Sequence, residues 1–130
     1  MQNRNSAQRS LILDIMAGNK THPTANEIYE EARKKHPHIS RGTVYRNLNF
    51  LVDSKNILRI SVPNGADHFD STLEEHYHLY CENCSKVTDV PELDISKIKE
   101  VESALSQKGY SQIKHKIVFE CLCPDCSRKF

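Results

Sequence analysis

Long apolar runs are missing from this 130-residue chain. None approaches the roughly 18 residues that a membrane-spanning helix needs. The N-terminus, Met-Gln-Asn-Arg-Asn-Ser, lacks the apolar core of a secretory signal. Both absences point to the cytoplasm. There is no internal repeat, which excludes a solenoid, and no low-complexity stretch, which excludes a long disordered tail. Net charge is nearly absent too, at +1. What is present is ordinary for a soluble globular protein: 38% hydrophobic and 27% charged residues. The length suits one ordinary domain or two small ones.

The small net charge hides an uneven distribution. Residues 1–63 hold ten Lys/Arg and five Asp/Glu, a balance of +5. Residues 64–130 hold eight and twelve, a balance of −4. A basic front half suits a polyanion, because Lys and Arg displace counterions from phosphates. An acidic back half suits cations. Chance surface charge is the plain alternative. The five cysteines are an odd number. In a cytosolic chain, spaced cysteines point to metal more than to disulfides.

Helical patterns dominate before residue 63. A first helix is expected over Ser6–Ala17, with Leu11, Ile12, Ile15 and Met16 as its apolar stripe and Gly18-Asn19 as its end. Thr24-Ala-Asn-Glu27 fits a capping box that opens a second, with Ile28, Tyr29 and Ala32 inward and His36-Pro37 as the stop. Ser40 caps a third, Arg41–Val52, whose inward face is Val44, Leu48, Leu51 and Val52. A strand over Ile57–Val62, a turn at Pro63–Ala66 and a returning strand over Asp67–Asp70 follow. Three short helices and a hairpin are in the order of a winged helix-turn-helix; an unrelated helical domain with a hairpin remains open. The back half reads as a strand (His76–Cys81), a strand (Lys86–Val90), a helix (Asp94–Gln107) and a strand (Gln112–Cys121). The helix carries Ile95, Ile98, Val101, Ala104 and Leu105 on one side, as if laid over a short sheet. The fold class expected is α+β: an N-terminal winged helix-turn-helix, then a small α/β domain.

Three groups of residues carry chemistry. Cys81-Glu-Asn-Cys84 and Cys123-Pro-Asp-Cys126 are two Cys-x-x-Cys pairs. Each tight turn can place two thiolates on one ion, so together they suit a closed four-sulfur zinc site, structural rather than catalytic. Disulfides or a redox pair compete, but the thioredoxin-like context is missing. Cys121 reads as a small apolar residue on a terminal strand face shared with Ile113, His115, Ile117 and Phe119. The second group is His76-Tyr-His78, whose imidazoles point the same way on a strand. Asp70 lies six residues before His76, Asp89 on the next strand and His22 far upstream; together they would make a mixed nitrogen/oxygen set that suits Fe2+, Mn2+ or Zn2+. Spacing alone supports only His76 and His78. A lone His22 before proline is more often a surface residue or a cap. His36, His38 and His68 read as surface or structural, and His115 as a hydrogen-bonded core histidine. The third group is Ser40-Arg-Gly-Thr-Val-Tyr-Arg-Asn47. Hydroxyls and arginines at a helix N-terminus can hold phosphate and reach base edges; a solvated polar face is the alternative.

Taken in order, His22-Pro-Thr-Ala-Asn-Glu-Ile-Tyr29, Ser40-Arg-Gly-Thr-Val-Tyr-Arg-Asn-Leu48, His76-Tyr-His78 and the two Cys-x-x-Cys pairs resemble the ferric-uptake-regulator family over essentially the whole chain. The resemblance implies a DNA-binding domain over residues 1–70, a hinge around 63–75, and a metal-binding dimerisation domain over 71–130. It implies structural Zn2+ on Cys81, Cys84, Cys123 and Cys126. It implies a regulatory Fe2+ or Mn2+ on His22, Asp70, His76, His78 and Asp89. DNA contacts fall on Ser40, Arg41, Thr43, Tyr45, Arg46 and Asn47. The partners implied are palindromic double-stranded operator DNA and a second copy of the chain, with no membrane and no small-molecule substrate beyond metal and peroxide. The implied function is a metal-dependent repressor, not an enzyme.

Asp at both 70 and 89, with His-Tyr-His, is most like the family's peroxide-responsive repressors; iron sensors tend to have Glu. In that branch peroxide reacts at bound iron and a histidine ligand is oxidised, here His22 or His76. An iron- or zinc-uptake regulator of the same family is the alternative. Three features depart from the pattern. Family members usually have a helix before the one at Ser6–Ala17, and too few residues precede Ser6 to form it. Arg46 stands where peroxide sensors often have Asn. A further family metal site is expected to be incomplete, because Glu75, Tyr77 and Ser96 occupy its places beside His115. Outside the family, a zinc hydrolase lacks H-E-x-x-H and an evident base or nucleophile. A thiol redox protein is the other rival.

Overall fold

The computed structural model describes residues 4–17, 21–74, 76–91, 94 and 96–129. Three helices open the chain: α1 (Arg4–Met16), α2 (Ala25–Lys35) and α3 (Arg41–Asp53). The expected stop of α1 at Gly18-Asn19 lies outside the described residues. The capping box of α2 forms as its sequence dictates. The Glu27 amide donates to Thr24 Oγ1 at 3.2 Å, and the Thr24 amide donates to Glu27 Oε1 at 3.2 Å. Such a cap stabilises a helix by about 1 kcal/mol. Ser40 caps α3 by accepting from the Thr43 amide at 3.1 Å.

Leu11, Ile12 and Met16 of α1, Ile28 and Ala32 of α2, and Val44, Leu48 and Leu51 of α3 meet in one core. Ile57 and Phe69 close it from below. Phe69 belongs to a hairpin of β1 (Leu58–Ile60) and β2 (His68–Asp70), antiparallel with Ile60 opposite His68. All three residues of β2 are buried. Its two faces are both covered, Phe69 by the helical core and His68 and Asp70 by the opposite side. Residues 22–24 lie against the same strand: Phe69 N donates to Pro23 O at 2.9 Å, and Thr24 bridges His68.

The second sheet has the order β4-β3-β5, from β3 (His78–Cys81), β4 (Val87–Asp89) and β5 (Val118–Cys121). β3 runs antiparallel to β4 and parallel to β5. A parallel pair needs a crossover, and α4 (Ser96–Gln107) supplies it. A single turn, α5 (Pro124–Ser127), follows. A second apolar cluster joins the two parts: Ile60 of the hairpin packs with Tyr80 and Val87, flanked by Val62 and Val118. The hairpin turn also touches the second sheet, since a Cβ at Gly65 would stand 3.1 Å from the Tyr80 hydroxyl.

Two expectations for the back half are corrected. The terminal strand is not ten residues long. Only Val118–Cys121 pairs; residues 113–117 find no strand partner, and Gln112, at φ +55, is outside the extended region. Phe119 is then exposed, and the shared face from Ile113 to Cys121 does not form. Nor does α4 bury its apolar side within the chain. It has no buried residue, and Val101 is 60% exposed. Ile95 lies outside the described residues.

Candidate metal centres

The two Cys-x-x-Cys pairs converge. β3 ends at Cys81, a turn brings Cys84 back, and the chain leaving β5 offers Cys123 and Cys126 around α5. The four sulfurs lie within 4.8 Å of one another. Cys84 Sγ and Cys123 Sγ are 3.8 Å apart. Tetrahedral thiolates on bonds of about 2.3 Å stand about 3.8 Å apart, so the residues fit a zinc ion. Second partners are in place. The Cys123 amide donates to Cys81 Sγ at 3.3 Å, and Asn83 Nδ2 donates to Cys126 Sγ at 3.3 Å. Hydrogen bonds from the Cys84 and Cys123 amides lower the Cys81 pKa to about 6. At Cys126 the Asn83 hydrogen bond pulls down, but the neighbouring sulfurs and burial push the pKa up to about 11. One thiolate therefore forms readily and the next is opposed, an opposition that a cation would relieve. Cys121 stays out of the group; burial, foremost, raises its pKa.

The second gathering draws on both halves of the chain. His22 comes from the segment before α2, Asp70 from β2, His76 and His78 from β3 and the residues leading into it, and Asp89 from β4. Their donor atoms also lie within 4.8 Å of one another. Asp70 Oδ2 is 3.2 Å from His22 Nε2, 2.7 Å from His76 Nε2 and 3.0 Å from His78 Nε2. Asp89 Oδ1 is 2.8, 3.2 and 3.5 Å from the same three atoms. Donors at right angles on bonds of about 2.1 Å stand about 3.0 Å apart, so this set fits a five- or six-coordinate cation. His22, expected from its own context to be a surface residue or a cap, is 2% exposed.

The surroundings tune these groups. Burial pushes the Asp70 carboxyl up, but the Thr72 amide at 2.9 Å, His78, His76 and His22 outweigh it and hold it below the usual range. Burial lowers His78 and prevails, favouring the neutral ring that a metal needs. Burial also opposes protonation of His76, yet the Glu74 carbonyl and the two aspartates raise it. Sequence reasoning missed Thr72, Asn83 and the Glu74 carbonyl, whose signals are only their places in the intervening turns. His68, read as surface or structural, is buried two residues before Asp70 on the same strand.

The helix-start group separates. Ser40, Arg41, Tyr45 and Arg46 are exposed and Thr43 is half-buried. Arg41 leans over the Tyr29 ring at 4.7 Å, and Arg46 Nη2 donates to Thr43 Oγ1 at 3.1 Å. Asn47 does not join them. It is 5% exposed, donates to the Thr43 carbonyl at 2.9 Å and accepts from Arg9 Nε at 3.1 Å, so its amide ties α1 to α3. His36 and His38 are exposed. Tyr77 donates to His115 Nε2 at 2.7 Å, and His115 Nδ1 pairs with Glu102. Both His115 ring nitrogens are thus engaged. Glu75 lies outside the described residues. Among the described residues, no further group of metal-capable side chains gathers there.

The sequence profile of the ferric uptake regulator family matches residues 1–120. The peroxide-responsive repressor PerR of Staphylococcus saprophyticus is 34% identical over 129 residues, 97% of this chain and 84% of that protein. The crystal structure of the Campylobacter jejuni peroxide stress regulator superposes with a TM-score of 0.76 at 30% identity, covering 95% of this chain and 91% of that one. The Helicobacter pylori ferric uptake regulator has the same fold, with a TM-score of 0.81 at 23% identity over 98% of this chain and 83% of that one. With both sulfur pairs closed on one point and five nitrogen and oxygen donors on another, the chain belongs to the ferric uptake regulator family.

Proposed function

We propose that this protein is a metal-dependent, DNA-binding repressor whose grip on its operator ends when peroxide oxidises a histidine of the His22, Asp70, His76, His78, Asp89 set. The observation that carries the reading is the origin of those donors. His22 and Asp70 come with the helical half, and His76, His78 and Asp89 with the second sheet. Binding one cation therefore sets the angle between residues 1–70, which act as the DNA-binding unit, and residues 71–130, which act as the metal-binding dimerisation unit. The wing turn and the loop after it, 63–75, are the hinge.

The four cysteines hold structural Zn2+ and pin the chain after β5 to β3. The five mixed donors hold Fe2+ or Mn2+. Asp70 and Asp89 supply negative charge, and neutral His22, His76 and His78 present Nε2. When bound, ferrous iron supplies the reducing chemistry that activates peroxide beside its ligands. The peroxide O–O bond would break, one oxygen going to an imidazole carbon of His22 or His76 and the other leaving as water, and an imidazole so oxidised would no longer offer Nε2 as a donor. The two halves then lose their common anchor.

On the DNA side, Ser40, Arg41, Thr43, Tyr45 and Arg46 at the start of α3 meet phosphates and base edges. Asn47 acts behind them by fixing α3 on α1. A second copy covers the exposed apolar side chains Val101, Leu105, Phe119 and Leu122. Two-fold symmetry then calls for a palindromic site. The family is one of regulators rather than enzymes. No helix among the described residues is long and apolar enough to cross a membrane, and the reading places the protein in the cytoplasm.

DNA-binding anisotropy on a palindromic duplex tests this. Protein is loaded anaerobically with Fe2+ or with Mn2+, then given a small excess of hydrogen peroxide. Release from the Fe2+ sample only, with a mass gain on a peptide holding His22 or His76, is expected. Binding that survives peroxide with both metals would make the protein a sensor of metal supply instead.

A further inference from the structure

A histidine that ligates a metal is normally aimed by a hydrogen bond to its other ring nitrogen. His76 follows that rule: its Nδ1 donates to the Glu74 carbonyl at 2.6 Å and leaves Nε2 facing both carboxylates. His22 does not. Its Nδ1 is buried and has no hydrogen-bond partner among the described residues. The ring lies edge-on to His78, with centroids 5.2 Å apart and an interplanar angle of 82°. That packing limits the ring without directing it. The aim of Nε2 must come from the backbone.

The backbone there is unusual. His22 sits in the left-handed region at φ +54, where a side chain with a Cβ is disfavoured, and Pro23 follows it. Something has to hold it. The Phe69 amide reaches the Pro23 carbonyl, one residue too late to set His22 itself. The contact on His22 comes from a side chain. His68 Nδ1 donates to the His22 carbonyl at 2.6 Å, with both residues buried. Holding that carbonyl fixes the turn of the His22–Pro23 peptide, and with it the direction in which the imidazole leaves the chain. Two residues along the same strand, Asp70 Oδ2 receives the ring 3.2 Å from His22 Nε2. Residues i and i+2 of a strand share a face. One face of β2 thus carries both the group that sets the backbone and the group that meets the ring.

We propose that His68, which is not one of the five donors, is a positioning residue that aims His22 at the regulatory cation through the His22 carbonyl. The proposal rests on His22 being a ligand. It explains why His22 arrives in register with the other four donors. It also assigns His68 a role in metal affinity, distinct from folding.

The test uses the full-length, zinc-loaded protein titrated with Mn2+, the free ion being read by its electron paramagnetic resonance signal. Co2+ absorption reports the donor set independently. Three variants are compared: His22→Ala, His68→Phe and His68→Asn. Phe keeps the ring and removes the donor; Asn restores an N–H near the Nδ1 position. His68→Phe should weaken Mn2+ by about 10–100-fold, the range typical of outer partners of metal ligands. It should also alter the Co2+ bands while zinc content stays the same. His68→Asn should recover most of the affinity and the wild-type Co2+ spectrum. Should His68→Phe fail to fold, His68→Leu replaces it. If His22→Ala loses affinity but the donor-free variant keeps it, the positioning role is wrong. Equal losses in the Phe and Asn variants, with both less stable, also overturn it in favour of a packing role. Unchanged affinity in His22→Ala would overturn the ligand reading and the proposal with it.

Discussion

The single side chains of the two centres differ in what their loss should do. Cys81 lies buried at the end of β3 and receives amide hydrogen bonds from Cys84, Cys123 and Asn83 as well as facing three other sulfurs. Cys81→Ser should release zinc and unfold the C-terminal half, because such a site's binding energy is folding energy, roughly 10–16 kcal/mol in small zinc domains. Zinc content and circular dichroism check this; a folded dimer free of zinc would contradict it. His76 is less enclosed, and its removal leaves the sheet pairs intact. His76→Ala should cost more than about 100-fold in Mn2+ affinity, since even outer partners are worth about 10–100-fold. Metal-dependent DNA binding should vanish while zinc and dimer remain. The same fluorescence titration on DNA, with and without Mn2+, gives the answer. The Cys pairs and His76-Tyr-His78 were legible as candidate ligands from spacing, because donors two or three residues apart need no tertiary information to converge. His22 was not. Its context is a lone histidine before proline, and only its resemblance to a family suggested otherwise. Asn47 was misjudged for the same kind of reason: its polar amide sits one turn from Thr43, yet Arg9, 38 residues away, claims it.

Among the elements, helices announced themselves better than strands. Thr24 with Glu27 and Ser40 with Thr43 carry the caps of α2 and α3 in their own side chains. Strand ends depend on partners. The expected strand over His76–Cys81 pairs only from His78, and the one over Gln112–Cys121 only from Val118. The helix α4 is the element whose role is least local. Ile98, Val101, Ala104 and Leu105 share one side of the helix, but none of them is buried in the protomer. Val101→Glu should therefore leave the fold intact and shift the dimer toward monomer, because it places a charge on the apolar surface that the proposed second copy would cover. Sedimentation velocity decides it. A Val101→Glu dimer as tight as the wild type would move the interface elsewhere.

For the molecule as a whole, the two halves are joined twice. Ile60, Tyr80 and Val87 join them through apolar contact, and on the proposed reading the five gathered donors would join them through a cation. If metal and DNA favour the same arrangement of the halves, each must tighten the other by one factor. A coupling of about 1–3 kcal/mol, or about 5–150-fold, is expected. Mn2+ affinity measured with and without operator, and operator affinity measured with and without Mn2+, should change by equal factors. A change on one side only would break the scheme. The sequence by itself determined the helical half, the two sulfur pairs and the pairing of His76 with His78, because caps, apolar periodicity and short-range donor spacing are local properties. Only the tertiary structure decided that His22 and Asp89, 67 residues apart, meet at 2.8 Å. It alone decided that Asn47 turns inward and that α4 keeps an open apolar face. Each of those depends on which distant segment arrives to fill a space, and no local pattern records that.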